Sequence, residues 1–234
     1  MAPPEKDHLA AQLRAGASWL AYRAADGSAP TSADFAQLDL SDVDLAGALI
    51  GDAPLFGANL DRTILRGADL AGANLSEGSL MGANLAEARL IGTLFDEARM
   101  QGASLAHADA VRASFYEADL QGADLSGASL ISAFFHGAQL RRASLNGADL
   151  RGASFQQASL ESASLAGANL EGALLDGANL DGADLSGARL ARANLAGALG
   201  LATAHALFLI DAEAEGEQRV EGAALAAWLS GEQG

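Results

Sequence analysis

The stretch GANLEGALLDGANLDGADLSGARL, residues 167–190, repeats the frame Ala-x-Leu-x-Gly with a period of five. The frame extends in both directions, from Ala33 to Gly197, without insertion or slip. That makes 165 residues and 33 pentapeptides. The third position is Leu in 25 of the 33, with Phe35, Ile50, Phe95, Met100, Ala110, Phe115, Phe135 and Phe155 as the exceptions. The first position is Ala in 28, the second Asp or Asn in 15, and the fifth Gly in 18.

A period of five does not suit an α-helix. Five residues leave about 140° of rotation per repeat, so the leucines would spread around every face. The glycines would each oppose a helix by ~1 kcal/mol. Extended structure accommodates the pattern. Residues two apart on a strand share a face, so the small first position and the large third position point inward together. The second position points outward. The fourth and fifth turn a corner, where Gly supplies the positive φ of a type II turn.

The pattern A-(D/N)-L-x-x, seen close to consensus in GADLAGANL (67–75) and QGADLSGASL (121–130) as well as in 167–190, resembles the pentapeptide-repeat family. The resemblance implies an all-β solenoid, a right-handed quadrilateral β-helix in which four pentapeptides make one square coil. The 33 repeats would make eight coils and one extra side, a rod about 40 Å long at ~4.8 Å per coil. The residues support a 20-residue coil independently. Phe35, Phe95, Phe115, Phe135 and Phe155 fall at multiples of 20 from one another and predict one internal column, completed by Leu55, Leu75, Leu175 and Leu195. Every residue at 45, 65 and onward to 185 is Leu. The interior is expected to be a dry core without a pocket.

The organisation is read as 1–32, a capping helix and linker; 33–197, the repeat; and 198–234, a tail. In the first segment Leu9, Leu13, Gly16 and Leu20 recur at helical spacing, with Trp19 and Tyr22 beside them. A solenoid needs such caps over its open strand edges. The tail begins with the apolar run LGLATAHALFLI, continues with the acidic DAEAEGEQ and ends on GAALAAWLS, read as a short helix with Leu225, Trp228 and Leu229 on one side. That helix is a cap in one reading. In the other it is a homodimer contact, because some gyrase-directed members of the family pair through C-terminal helices.

The 234 residues carry a net charge of −16, with no Cys and a single Lys, Lys6. Disulfide frameworks and thiolate metal sites are excluded. Direct nucleic-acid binding is disfavoured, since it needs cations to displace phosphate counterions. No apolar run reaches the ~18 residues of a membrane helix, and MAPPEKDHLAAQLR lacks a signal-peptide core. A soluble, cytoplasmic protein is expected.

No sequence motif for catalysis, phosphate binding or a cofactor is present, so neither an enzyme nor a cofactor is expected. His107 and His136 fall at corners of different sides. The serines at second positions (104, 114, 144, 154, 159, 164) are expected to hydrogen-bond along the rod. The Asp and Asn at second positions are expected to bond nearby turn backbone rather than a metal.

Two surface features stand out. Ile91, Val111 and Ile131 occupy equivalent outward positions on consecutive coils, with Leu94 and Phe134 across the same edge. They form an apolar stripe of the kind that marks a contact site. Glu77, Glu97 and Glu117 stack at one corner beside Asp96. The first functional reading is a non-enzymatic module that presents such stripes to a protein partner. A second comes from the resemblance: some acidic members mimic DNA, bind DNA gyrase and protect it from quinolones or toxins. Duplex DNA carries about 24 charges in 40 Å. Residues 33–197 carry 21 acids and 10 bases, a net of −11, about half that density. A third reading is a structural accessory of a larger assembly such as a secretion apparatus.

Overall fold

The computed structural model describes residues 36–201, 203–204, 209–210 and 217–218. From Asp39 to Asn179 each second-position residue forms a parallel bridge with the residue 20 places on. Asp39 with Asn59, Asp44 with Ile64, Leu49 with Asp69 and Pro54 with Asn74 open four ladders. The chain is therefore a β-helical solenoid whose coils have four sides, numbered here from the ladders that begin at Asp39, Asp44, Leu49 and Pro54. The last bridge joins Asn179 to Leu199.

The ladder bonds run between coils. The Leu45 N–H donates to the Ile64 carbonyl at 2.7 Å, and the Ile64 N–H donates back to Val43 at 2.9 Å. Within a corner, the Ala48 N–H donates to the Leu45 carbonyl at 3.0 Å. Gly47, the third residue of that turn, has φ +70°, as a type II turn requires. All 33 fifth positions from Gln37 to Gly197 have positive φ. Fifteen of them are not glycine; Arg62, Glu97, His107 and Arg142 sit at 57–58°. The left-handed conformation costs an L-residue ~1–2 kcal/mol. It is held by bonds on either side of the corner: the Arg62 N–H donates to Met81 at 2.9 Å and the Thr63 N–H to Leu60 at 3.1 Å.

The first and third positions fill the interior. The rings of Phe95, Phe115, Phe135 and Phe155 stack face to face at 5.1, 4.8 and 4.7 Å, within 7° of parallel. Leu55, Leu75, Leu175 and Leu195 continue their column and are buried; Phe35 lies outside the described residues. The repeat's exceptions are accommodated. Thr63 and Thr93 replace Ala at buried first positions, and their hydroxyls donate to the Leu40 and Leu70 carbonyls at 2.7 and 2.8 Å. Met100 and Ala110 are both fully buried on opposite sides of one coil, a longer chain facing a shorter one.

At the C-terminal end Gly200 has φ +76°, and a Cβ there would lie 2.3 Å from the Asp181 nitrogen. The Thr203 hydroxyl then receives the Gly182 N–H at 3.2 Å, and Ala204 is buried. The helix expected over 5–25 and the tail residues Leu225, Trp228 and Leu229 lie outside the described residues. Among the described residues there is no helix. Earlier in the tail two two-residue strands pair, β1 (Leu209–Ile210) antiparallel to β2 (Glu217–Gln218). Two residues are too few for an alternating pattern, so the sequence carried no strand signal there.

Leu125 is fully buried in the all-Leu column. Leu125→Asp should abolish the cooperative thermal transition, because it buries a charge without a partner. Phe135→Ala, which opens a gap in the ring stack, should lower stability by about 3–5 kcal/mol in denaturant titration. A parent-like melt for Leu125→Asp would show that the third position faces outward.

Candidate interaction surface

Outward residues differ from side to side. From coil to coil the fourth side reads Pro54, Asn74, Leu94, Ser114, Phe134, Ser154, Leu174 and Asn194. Leu94, Phe134 and Leu174 are exposed, Phe134 to 52%. They recur on every second coil with serines between. Ile91, Val111 and Ile131 stack at the corner entering this side and are half-buried. The accessible part of the expected apolar stripe is thus the Leu94 and Phe134 edge, flanked by the three corner residues.

Glu77, Glu97 and Glu117 are exposed and stack at the corner leaving the same side. Their backbones hold the left-handed corner conformation, at φ 57°, 57° and 52°. Asp96 points back along the side: it accepts the Ser114 hydroxyl and the Tyr116 N–H. The apolar and acidic features are the two borders of one side, as Ile91 and Glu97 are of the pentapeptide between them. Tyr116 stacks on His136 at the acidic corner, in the column of Asp96, centroids 5.6 Å apart and 3° from parallel. The Tyr116 phenol is raised above its ordinary range, chiefly by its hydrogen bond to Glu117 and the charge of that carboxylate.

Arginine pairs occupy the other corners and sides. Arg62 meets Asp42 at 2.7 Å, Arg66 meets Glu87 at 2.7 Å, Arg89 meets Asp69 at 2.9 Å and Arg141 meets Glu161 at 3.0 Å. Arg151 meets Asp149 at 2.7 Å and by its hydrogen bonds holds that carboxyl below the usual range. Exposed pairs of this kind are worth about 0–1 kcal/mol each. From Phe56 to Gly197, the corner leaving the fourth side holds no Arg or Lys. The rod's modest net charge is thus unevenly spread.

Other polar groups serve the scaffold. Second-position Asp and Asn accept the N–H two residues on: Asp69 from Ala71 at 3.1 Å, Asn74 from Ser76 at 3.0 Å, Asp124 from Ser126 at 3.0 Å. This is the turn bonding expected from the sequence. Ser144 and Ser164 bond along the rod, to Ser126 at 2.7 Å and Asn146 at 2.5 Å. Among the described residues no three His, Cys, Asp or Glu converge on a common metal position, and no helix is long and apolar enough to cross a membrane. An open depression of about 400 Å³ on the last coil is lined by Ala193, Asn194, Leu195, Ala196, Gly197, Ala198 and Leu201. It offers no titratable group.

Sequence reading missed Tyr116, His136 and Leu174 as parts of this surface. Leu174 had a signal: it lies 40 residues, two coils, beyond Phe134. The ring stack of Tyr116 and His136 had none beyond their spacing of 20. Leu49 and Ile64 are also exposed but stand on the third and second sides, away from this cluster. Glu117→Gln should lower the Tyr116 pKa, because a neutral amide no longer opposes a second negative charge. Ultraviolet titration of the phenolate, in a Tyr22→Phe background that removes the only other tyrosine, checks it.

A family model for pentapeptide repeats matches the chain in eight copies, over residues 52–85, 79–115, 111–147, 143–180 and 163–199. No curated protein sequence matches it. Among solved structures, HetL from Nostoc sp. strain PCC 7120, a pentapeptide repeat protein involved in heterocyst differentiation regulation, is 30% identical over 76% of this chain and 91% of its own, with a TM-score of 0.33. A trypsin-treated QnrB1, a plasmid-mediated fluoroquinolone resistance protein, is 20% identical over 70% of this chain and 88% of its own, with a TM-score of 0.50.

Proposed function

Since the chain belongs to the pentapeptide-repeat family, we propose that it acts without catalysis or cofactor, as a rigid interaction module whose fourth side docks a protein partner. The observation that carries this reading is the exposed run of Leu94, Phe134 and Leu174 beside Ile91, Val111 and Ile131. Apolar side chains grouped on one side of a soluble rod favour association, since water is released when they are covered. The ladders beneath them fix their spacing, so little order is lost on binding.

A gyrase-directed role is the second reading. It is supported by the unbroken acidic corner of Glu77, Asp96, Glu97 and Glu117, where negative charge is concentrated despite the low overall density. The proposal also includes right-handed winding, residues 1–32 as a helical cap, and a partly helical tail through which Leu225, Trp228 and Leu229 pair two copies.

Phe134→Asp separates the readings. Its melting should match the parent, while capture of the partner falls about tenfold or more, as for a central contact residue. Ile64→Asp, on the second side, should capture like the parent. Equal capture by all three proteins would remove the fourth side as the contact. Inhibition of gyrase supercoiling that survives Phe134→Asp but is lost on Glu97→Gln with Glu117→Gln would favour the second reading. For the tail, Trp228→Ala should convert a dimer to a monomer in sedimentation velocity; an unchanged distribution would exclude that contact.

A further inference from the structure

We infer that the fourth side receives an α-helix of a partner protein, laid along the rod axis, apolar toward Leu94, Phe134 and Leu174 and basic on the flank that meets Glu97 and Glu117. This rests on the interaction reading above and adds the chemistry of the partner. The argument has three parts.

First, the backbone of this side is already bonded. The Leu94 N–H donates to Ala73 at 3.0 Å, the Phe134 N–H to Ala113 at 3.0 Å and the Leu174 N–H to Ala153 at 2.9 Å. Their carbonyls accept from Leu75, Phe115 and Phe155 at 2.6–2.7 Å. An extended peptide binds a sheet by bonding to a free edge, and the middle of this side offers none. A helix satisfies its own backbone and needs only side-chain contacts.

Second, the spacing suits a helix. Leu94, Phe134 and Leu174 lie two coils apart, about 9.6 Å at ~4.8 Å per coil. Helix residues seven apart share a face and lie about 10.5 Å apart. The mismatch over three anchors is only about 2 Å by the same spacings. Between the large residues, Ser114 and Ser154 leave notches one coil wide. Their hydroxyls are engaged by Asp96 and by Gln156, so an apolar side chain can enter each notch without stranding a polar group.

Third, the borders differ in charge. Glu97 and Glu117 line one flank without a neighbouring Arg or Lys at that corner. The opposite corner carries Ile91, Val111 and Ile131 and then Arg112 and Arg151. A helix with Lys or Arg on one flank only is matched in one orientation and repelled in the other.

The test is a displayed library of random peptides of about 20 residues, long enough for five helical turns, selected on the full chain and counter-selected on Phe134→Ser. Phe134 is half-exposed at 52%, so this variant should melt like the parent, which is checked first. Clones that need Phe134 should carry apolar residues at helical spacing with Lys or Arg on one flank. As synthetic peptides they should gain helical circular dichroism on binding. Glu97→Gln with Glu117→Gln should weaken them about tenfold or more, a change of ~1.4 kcal/mol or above, and flatten the salt dependence. Clones that need Phe134 but are proline-rich, acidic or indifferent to the double Gln variant overturn the inference and leave the interaction reading standing. A selection that yields no clone dependent on Phe134 overturns both.

Discussion

Every corner of the rod requires one residue with positive φ, and the rest of the structure depends on that requirement. From Gln37 to Gly197 it recurs at each fifth residue, glycine or not. A corner bent this way turns the chain onto the next side and lets the following N–H close the turn, as Ala48 does on Leu45 at 3.0 Å. Left-handed backbone opposes folding by ~1–2 kcal/mol at each non-glycine corner. The opposing gain is distributed: each pentapeptide buries one large and one small side chain and completes ladder bonds to the coil above. Burial of a Leu or Phe side chain contributes ~1.5–3 kcal/mol, which offsets a corner cost of this size without leaning on any single contact.

That geometry separates scaffold from surface. The first and third positions are spent on the core, where their sizes are constrained: Ala leaves room for Leu, and the four Phe rings fit because they share one column at spacings of 4.7–5.1 Å. Where the column sequence departs from its pattern, the departure is met locally, as when Thr63 and Thr93 bond buried carbonyls. The second, fourth and fifth positions face outward and are free to vary once the corner is held. Function on such a rod is therefore written in residues that the fold does not need. Phe134 is one: the neighbouring second positions on its ladder are serines, and the coil closes equally well around them.

The fourth side differs from the others through this freedom. Its core column holds the Phe stack, its outward ladder holds Leu94, Phe134 and Leu174, and its borders hold an apolar corner and an acidic one. Tyr116 and His136 stack at the acidic corner, with the Tyr116 phenol bonded toward Glu117. On the remaining sides and corners several acids meet arginines of a neighbouring coil, as Asp69 meets Arg89 at 2.9 Å, others accept from serine or glutamine, as Asp61 does from Ser79 and Asp119 from Gln101, and exposed apolar residues such as Leu49 and Ile64 stand singly. The fourth side is thus the one on which exposed apolar residues recur in register, and it is the surface proposed to dock a partner.

The period of five, by itself, determined the solenoid, the inward residues, the corner glycines and the stacked Phe column, because a strictly local pattern repeated 33 times has only one way to bury all its leucines. It also predicted that second-position Asp and Asn would bond turn backbone, since that contact spans two residues. Tertiary structure alone decided the rest. Glu97, Arg62 and His107 adopt left-handed corners because ladder bonds from the adjacent coil hold them there, not because of any preference of their own. The β1 and β2 pair in the tail is too short to leave a pattern. The stacking of Tyr116 on His136 depends on how the two rings orient across successive coils. A ring stack or an exposed edge is a relation between coils 20 residues apart, and side-chain orientation across that gap is set by packing rather than by neighbours in the chain.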